Sequence, residues 1–270
     1  MSANAIEINS LTKKFNSFTA VDSVSLEIRE GELFGLLGPN GAGKTTTISM
    51  LATMLEPTSG SAKINGFDIK DKDNVRKSIG IVFQDPSLDD DLTGKENLEF
   101  HGRMYHMPLN LRKKKIAEVL KLVDLEDKAG MVVKTYSGGM KRRLEIARGL
   151  MHHPKVLFLD EPTLGLDPQT RRGIWSYIRH LNKQENITII LTTHYMEEAD
   201  YLCGRVAIID HGRIIALDTP DSLKNVMAVD MPKKPTLEDV FIHYTGRAIR
   251  EEEASPADAM RLRKKSGMGR

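Results

Sequence analysis

The amino-acid sequence predicts an α/β fold that carries, beside its parallel strands, an antiparallel β subdomain and a helical subdomain. Three observations predict it. An apolar strand over residues 32–37 runs directly into a glycine-rich turn and then into apolar residues at helical spacing, the strand–turn–helix order of α/β proteins. Residues 5–30 alternate apolar and polar side chains, as antiparallel strands do. From about residue 88 to residue 150 the apolar residues follow helical spacing instead.

Two hairpins are predicted in the antiparallel part. The alternating residues 5–30 are interrupted by a turn at Lys14–Ser17. Residues 61–69 surround an Asn65-Gly66 pair, and this pair is a strong sequence signal for a tight hairpin turn. We therefore expect one long hairpin before the glycine-rich turn and a short one after it.

The glycine-rich turn matches the pattern G-x-x-x-x-G-K-[ST]. This pattern binds phosphate when it follows a strand and opens a helix, and both conditions are met in the sequence. Glycines let backbone N–H groups approach an anion closely at the positive end of a helix. The predicted nucleotide-binding residues of this loop are Gly38, Pro39, Asn40, Gly41, Ala42, Gly43, Lys44, Thr45 and Thr46.

The polar side chains of this loop suit a magnesium triphosphate. Lys44 brings a positive charge to the β- and γ-phosphates, the Thr45 hydroxyl is placed to bind Mg²⁺, and Thr46 can donate to a phosphate oxygen. The helix that the loop opens is expected to continue through Leu55 and to stop before Pro57.

Three further residues lie where they can reach a bound nucleotide. Phe15, in the first hairpin turn, can stack on the base, although an isolated aromatic residue is more often a packing residue. Gln84 and His194 each follow a predicted buried strand, residues 79–83 and 187–193. Because the carboxyl ends of parallel strands face the ligand crevice, Gln84 can reach the metal or its water. His194 can donate to the γ-phosphate.

A pair of carboxylates ends another buried strand, residues 156–159. Asp160 can hold Mg²⁺ through water, and Glu161 can orient or deprotonate the attacking water. The predicted metal ligands are therefore Thr45, Gln84 and Asp160. The predicted catalytic residues are Lys44, Gln84, Glu161 and His194.

A second anion-binding helix start is predicted at Ser137-Gly138-Gly139, which directly precedes a helical stretch. A capping hydroxyl and exposed backbone N–H groups suit a phosphate, although a simple helix cap uses the same residues. Asp167 is the predicted N-cap of the next helix, with Pro168 at its first position.

Composition limits the classes of protein. With 28% charged and 40% hydrophobic residues the chain is an ordinary globular protein of 270 residues. Its formal charge of +2 is too small to indicate a nucleic-acid binder. The single cysteine fits a reducing compartment, and we expect neither a signal peptide nor a membrane span. The basic run Arg112–Lys115 is interpreted as a solvated face, with contacts to lipid or nucleic acid as alternatives.

Taken together, these motifs resemble the nucleotide-binding subunit of an ATP-binding-cassette (ABC) transporter over about residues 5–226. Met140 and Tyr136 depart from the commoner Gln and Leu of the family. The stretches 136–148, 193–200 and 236–241 look like the daunorubicin-resistance type of drug-export ATPase. In family terms, Phe15 is the A-loop aromatic, Gly38 to Thr46 the Walker A loop, Gln84 the Q-loop, Ser137-Gly138-Gly139 the signature, Asp160 and Glu161 the Walker B and catalytic carboxylates, Asp167 the D-loop and His194 the switch histidine.

The resemblance implies a P-loop NTPase of ABC type that binds ATP and Mg²⁺. It implies a head-to-tail homodimer in which each signature faces the phosphates of the other chain. It also implies a separate polytopic permease at the cytoplasmic face of the cell membrane, export of drugs or other small molecules, and no nucleic acid partner. Residues 1–228 would form the ABC domain with the helical subdomain 88–150 inserted. Residues 229–270 would be an appendage, folding back through Leu237, Val240, Phe241 and Tyr244, with its last part disordered.

Two other functions remain open from the sequence. An ABC ATPase can act on ribosomes or DNA without a pore, although such relatives usually carry two cassettes or long insertions, which this sequence lacks. A nucleotide-sensing scaffold without turnover is the third, and the intact Glu161 and His194 argue against it. The sequence favours a transport ATPase.

Overall fold

Two β-sheets and their flanking helices form the part of the chain that this computed structural model describes, residues 3–85, 87–227 and 235–246. The strands are β1 (Asn4–Phe15), β2 (Phe18–Arg29), β3 (Leu33–Leu37), β4 (Ser59–Ile64), β5 (Phe67–Asp68), β6 (Ile79–Val82), β7 (Val156–Asp160), β8 (Thr188–Thr193), β9 (Arg205–Asp210) and β10 (Arg213–Asp218). The α-helices are α1 (Lys44–Leu51), α2 (Lys72–Ser78), α3 (Gly94–Met104), α4 (Leu109–Leu122), α5 (Gly138–Gly149), α6 (Pro168–Glu185), α7 (Met196–Leu202), α8 (Pro220–Met227) and α9 (Leu237–Thr245). Short 3-10 helices occupy Glu126–Lys128 and Val133–Thr135. Within these ranges, none of the helices has both the length and the apolar character needed to cross a membrane.

The first sheet is antiparallel and has the strand order β2-β1-β4-β5. Side chains of β2 alternate between buried and exposed from Val24 onward, because one face of the sheet packs on the core. Both predicted hairpins are confirmed. Asn16 and Ser17 connect β1 to β2, and Asn65 and Gly66, with φ angles of 50° and 80°, connect β4 to β5.

The second sheet has the order β10-β9-β3-β8-β7-β6, and all its pairings are parallel except that of the edge strand β10. Every residue of β3, β7 and β8 is buried, since helices cover one face and the antiparallel sheet with α1 covers the other. The predicted buried strands and the terminal hairpin over residues 206–217 are confirmed, although β9 also joins the parallel sheet beside β3. The parallel strands bring their carboxyl ends to one edge.

The helix after the glycine-rich loop is shorter than the sequence predicts. Helix α1 ends at Leu51, and the predicted continuation through Leu55 is wrong. Thr53 adopts a left-handed backbone conformation with φ of 60°, which breaks the helix. The Arg76 guanidinium holds this turn by donating to the Thr53 hydroxyl at 2.9 Å and to its carbonyl oxygen at 3.1 Å.

Helices α3, α4 and α5 confirm the predicted helical stretch. Of the basic run in α4, Lys113 and Lys114 are exposed as predicted, but the other two residues are not. Arg112 is buried, donates to the Met107 carbonyl oxygen at 2.7 Å and pairs with Glu99 at 2.9 Å. Lys115 is also buried and pairs with Glu118 at 2.7 Å. The prediction was wrong for these two residues, because a helix has two faces and a run of four charges covers both.

The C-terminal helix α9 folds back onto α7 and α8, as the sequence predicts. Leu237, Val240 and Phe241 are buried in the core, whereas Tyr244 is 36% exposed, so its inclusion in this packing was wrong. The predicted disorder from Glu251 onward lies outside the described residues.

The sole cysteine of the sequence lies in the interior between β3 and α7. Cys203 is buried, and a Cβ at Gly35 would lie 3.0 Å from its Sγ. Burial raises the pKa of its thiol well above the ordinary range, which makes the thiol unreactive.

Two imidazoles pack where α3 meets the end of α5. The ring centroids of His101 and His152 are 6.1 Å apart, and Tyr105 stacks on His152 at 4.0 Å. Burial, followed by the positive charge of Arg148, lowers the pKa of His101 from 6.5 to about 4. His101 is therefore neutral in the folded protein at neutral pH.

This shift predicts a loss of stability in mild acid. Between pH 6.5 and about pH 4 the unfolded chain binds a proton at His101 that the folded chain does not, so the free energy of unfolding falls as the pH falls. We expect a loss of about 1–2 kcal/mol near pH 5 from this group. Urea unfolding near pH 7.5 and pH 5 should show a smaller decrease in His101→Gln than in the wild type.

The exposed His180 on α6 offers a matched control. His180→Gln should keep the wild-type pH dependence. Equal pH dependence in His101→Gln and the wild type would contradict the prediction.

Candidate functional site

One cleft at the carboxyl edge of the parallel sheet brings together most of the predicted site residues. The predicted residues that line it are Phe15, Pro39, Asn40, Gly41, Ala42, Gly43, Lys44, Thr45, Thr46, Gln84, Glu161 and His194. Phe18, Ala20 and Leu164, which the sequence did not single out, complete the lining. Gly38 lies directly behind it, with its carbonyl oxygen accepting a hydrogen bond from Lys44 at 2.8 Å.

The loop from β3 to α1 is shaped by its glycines. Gly41 and Gly43 have φ angles of +78° and +107°, which side-chain-bearing residues rarely adopt. A Cβ at Gly43 would lie 2.4 Å from the Ala20 carbonyl oxygen, whereas a Cβ at Gly41 would meet nothing within 4 Å. Gly43 is also the N-cap of α1 and has no side chain to cap the helix. The backbone N–H groups at the start of α1 can therefore bind an anion.

Lys44 is a buried cation between this loop and the carboxylates. Only 6% of its surface is exposed. Its Nζ donates to the carbonyl oxygens of Gly38 and Pro39, at 2.8 and 3.4 Å, and lies 3.7 Å from Glu161 Oε1. This geometry allows one ammonium group to contact a phosphate and to stay near the carboxylate.

Asp160 is held by hydroxyl groups from two elements. Its Oδ2 accepts a hydrogen bond from Thr45 Oγ1 at 3.2 Å, and its Oδ1 accepts one from the Thr192 hydroxyl. The predicted metal ligands Thr45 and Asp160 are thus in contact, and Gln84 lines the same cleft. Oxygen donors of this kind, completed by phosphate and water oxygens, suit Mg²⁺, so the residues present fit this ion.

Glu161 follows Asp160 in an unusual backbone conformation. Its φ is +47°, a left-handed value that is costly for a residue with a side chain. Its N–H donates to the carbonyl oxygen and hydroxyl of Thr192, both at 3.1 Å. This turn directs the carboxylate to His194, whose Nδ1 lies 2.8 Å from Glu161 Oε2. A carboxylate so oriented can accept a proton from a water molecule.

Two aromatic rings stand at the outer end of the cleft. Phe15 and Phe18 are paired across the β1–β2 hairpin and are 45% and 60% exposed. Exposed apolar rings beside a phosphate loop can stack on a base. The ammonium group of Lys13 lies 5.2 Å from the centre of the Phe15 ring.

The second predicted anion site is separate from this cleft. Ser137 caps α5 by accepting a hydrogen bond from Met140 N–H at 3.2 Å. A Cβ at Gly138 would lie 3.2 Å from Leu166 and one at Gly139 2.5 Å from Thr170, so the turn packs on the start of α6. Asp167 is there as the predicted N-cap, accepting from Gln169 N–H and Thr170 N–H, both at 3.0 Å. These residues, Ser137, Gly138, Gly139 and Asp167, do not line the cleft.

Comparison with known proteins decides the family. The family model for the ABC transporter matches residues 21–164. The chain belongs to the ABC transporter family. The daunorubicin/doxorubicin resistance ATP-binding protein DrrA of Streptomyces peucetius is 46% identical over 222 residues, which are 82% of this chain and 67% of that protein. The linearmycin resistance ATP-binding protein LnrL of Bacillus subtilis (strain 168) is 44% identical over 219 residues, which are 81% of this chain and 70% of that protein.

Solved structures agree with this assignment. CbiO1 from Clostridium perfringens, part of the ABC transporter complex cbiONQ, superposes with a TM-score of 0.77 and 29% identity over 85% of this chain and 96% of that one. The dimeric ATP-binding cassette MJ0796, in a post-hydrolysis state with ADP and Pi, gives a TM-score of 0.70 and 30% identity over 79% of this chain and 98% of that one. The predicted P-loop fold of ABC type is confirmed. The chain is an ABC ATPase, homologous to drug-resistance ATP-binding proteins.

Thr192 and Glu198 are polar residues that organise the site of this ABC ATPase and that the sequence patterns did not single out. Thr192 hydrogen-bonds both Asp160 and Glu161, as described above. Glu198 on α7 is fully buried, and its Oε1 accepts from the Thr163 hydroxyl at 2.9 Å and from the Trp175 indole at 2.7 Å. Burial raises the pKa of Glu198, and its hydrogen bonds oppose this. A threonine ending an otherwise apolar strand was the available signal for Thr192.

The loop geometry yields a test by substitution. Gly43→Ala should destabilise the ABC ATPase more than Gly41→Ala does. Both changes strain a left-handed backbone at a cost of about 1–2 kcal/mol, but only Gly43→Ala forces a Cβ against a backbone carbonyl, which adds about 1–3 kcal/mol. Urea unfolding of the two variants measures the difference. Equal unfolding midpoints would contradict the close packing of Gly43 on Ala20.

Proposed function

We propose that two copies of this ABC ATPase close head to tail around ATP and Mg²⁺, and that the cycle drives a separate polytopic permease that exports drugs or other small molecules. The observation that carries the proposal is the division of the phosphate-binding residues into two groups. One group lines the cleft, and the other, the Ser137 turn, lies outside it. In a head-to-tail dimer, the Ser137 turn of each copy would face the cleft of the other copy.

The arrangement of the Ser137 turn supports this dimer. The turn and Asp167 lie side by side at the start of α6, as the close approach of Gly139 to Thr170 requires. A helix start with a serine hydroxyl and glycine N–H groups attracts phosphate. The related cassette MJ0796 was solved as a dimer. In the proposed dimer the Ser137 turn would contact the γ-phosphate held by the partner chain.

Hydrolysis would follow from the groups in the cleft. Glu161 would take a proton from the attacking water, whose oxygen bonds to the γ-phosphorus while the bond to the β–γ bridging oxygen breaks. Lys44 would offset phosphate charge, and His194 would hold the Glu161 carboxylate and reach the γ-phosphate. Bound Mg²⁺ would neutralise charge on the β- and γ-phosphate oxygens. Thr45, Asp160 and Gln84 would hold it.

The permease is proposed from the relatives and from one exposed surface. DrrA and LnrL are named as drug-resistance ATP-binding proteins, which supports drugs or similar molecules as cargo. Phe100 and Met104 on α3 are 61% and 62% exposed, one helical turn apart, and such an apolar pair can bind another protein. We propose this face of the helical subdomain, together with the Gln84 loop, as the docking site at the cytoplasmic side of the membrane.

The proposed organisation assigns residues 1–228 to the ABC domain, with the helical subdomain 88–150 inserted, and residues 229–270 to the appendage. Action on ribosomes or DNA is the second candidate. No described feature favours it over transport. Reconstitution with a polytopic membrane protein encoded beside this chain would distinguish them, because only the transport ATPase should then respond to transported drugs.

Glu161→Gln tests the proposed general base. Glutamine keeps the size of the side chain but cannot take a proton, so ATP should bind and turnover should fall by a factor of about 10²–10⁴. The variant should accumulate as an ATP-bound dimer in size-exclusion chromatography. Monomers alone, or turnover near the wild-type rate, would contradict the role of Glu161.

Mixing two inactive variants tests the composite site. Ser137→Ala should bind ATP as a monomer yet lose hydrolysis, and Lys44→Ala should lose about ten- to a hundredfold in ATP affinity because a charged hydrogen bond is removed. A mixed dimer would contain one site with both residues intact, so the mixture should regain ATPase activity below the wild-type level. Hydrolysis by Ser137→Ala alone at the wild-type rate would argue for a site complete within one chain.

A further inference from the structure

A buried arginine on α5 joins three segments of the site. Arg142 is 6% exposed. Its Nε donates to the Pro162 carbonyl oxygen at 2.7 Å, its Nη2 to the Asp160 carbonyl oxygen at 2.9 Å, and its Nη1 to the Phe83 carbonyl oxygen at 2.6 Å. The Asp160 and Pro162 carbonyls flank Glu161, and the Phe83 carbonyl directly precedes Gln84.

A buried acid completes this arrangement. Glu145, one helical turn further along α5, is 2% exposed and pairs with Arg142 Nη1 at 3.0 Å. Its other oxygen accepts the Ser87 N–H at 2.9 Å. The Arg142–Glu145 pair therefore holds the loop after β6 on both sides of Gln84, at Phe83 and at Ser87.

The choice of acceptors separates this pair from an ordinary buried ion pair. A buried charge is costly unless its hydrogen bonds are filled, and many carbonyl groups could serve that purpose. The three carbonyls that Arg142 contacts all belong to residues adjacent to Gln84 or Glu161. Because a guanidinium is a rigid planar fork, it fixes these carbonyls relative to one another and to α5.

We infer that Arg142 is a positioning residue for ATP hydrolysis, which fixes the Gln84 and Glu161 segments relative to the Ser137 turn at the start of the same helix. A second part of the inference, that Arg142 links Glu161 to the nucleotide bound by the partner chain, rests on the proposed composite site. Through Arg142, contact of the Ser137 turn with the partner's phosphate would favour the active placement of Glu161 in its own chain. Arg142 itself would touch neither nucleotide nor water.

Three variants test this role. Arg142→Gln removes the fork but leaves Glu145 buried without its cation, which can destabilise the fold. The double variant Arg142→Gln with Glu145→Gln removes both charges and keeps an amide oxygen for the Ser87 N–H. Arg142→Lys keeps the charge without the fork. We expect each to bind ATP within about twofold of the wild type and to lose at least about tenfold in kcat.

Arg112→Gln is the matched control. Arg112 is likewise a buried arginine with a carboxylate partner and a carbonyl acceptor, but its contacts lie within the helical segment 99–112. The Arg112→Gln variant should unfold at a lower urea concentration than the wild type and should keep kcat within about twofold of the wild-type value. Urea unfolding, titration with a fluorescent ATP analogue and steady-state kinetics provide the three readouts.

Defined results would overturn the inference. Wild-type kcat in the double variant, full recovery of kcat in Arg142→Lys, or an equal loss of kcat and ATP affinity would each do so. Ser137→Ala, measured in parallel, tests the composite site separately. If it hydrolyses ATP normally the composite site is wrong, and if it is inactive while the Arg142 variants turn over normally only the Arg142 inference fails. Whether Ser137→Ala is active or inactive, the role of Arg142 is tested by whether its variants lose kcat while keeping their affinity for ATP.

Discussion

Two adjacent carboxylates at the end of a buried strand are the constraint on which the rest of this structure depends. Asp160 and Glu161 take negative charge to the edge of an apolar sheet, and uncompensated charge there is costly. The neighbouring segments offset that cost: the phosphate loop through Lys44, the end of β8 through Thr192, and the segment after it through His194. Each of these segments contributes a polar group beside the two carboxylates, and Lys44, Glu161 and His194 also line the nucleotide cleft. The parallel sheet is what makes this possible, since it brings several strand ends to the same edge.

The segment that carries these carboxylates also contacts helices α5 and α7, outside the cleft. Arg142 contacts the backbone on both sides of Glu161 and belongs to the helix that Ser137 caps. Glu198 links Thr163, just after Glu161, to Trp175 in α6 and to the helix that follows His194. One set of buried polar contacts thus joins the carboxylates beside the Lys44 loop to the helix capped by Ser137, and these are the two helix starts that we propose bind phosphate. In a dimer built from two such chains, this set of contacts would be the physical path between one nucleotide and the other.

Much of this architecture could be predicted from sequence because its signals are local. Hairpin turns, buried apolar strands, glycine-rich helix starts and the N-cap at Asp167 each depend on a few neighbouring residues. The errors arose where tertiary contacts decided the outcome. Arg76 holds the turn at Thr53 that shortens α1. Two cations of α4 are buried against other segments, Arg112 beside Glu99 of α3 and Lys115 with its Nζ 3.0 Å from His153 Nδ1. Thr192, Glu198 and Arg142 escaped notice for the same reason, since the hydrogen bonds by which they join the segments of the site reach residues 18 or more positions away. A pattern of residue types cannot show which distant carbonyl a guanidinium will meet.

The burial of Cys203 has a practical consequence for measuring conformational change in this ATPase with site-specific labels. Its sulfur is enclosed beside β3, and the chain has no other cysteine. A thiol introduced at any exposed position would therefore be the one that a maleimide dye or nitroxide spin label attacks, with no need to alter the native sequence first. Labels placed on the exposed face of α6 or on α3 would report, as nucleotide is added, the separation of the two copies in the proposed dimer or of one copy and the proposed membrane partner.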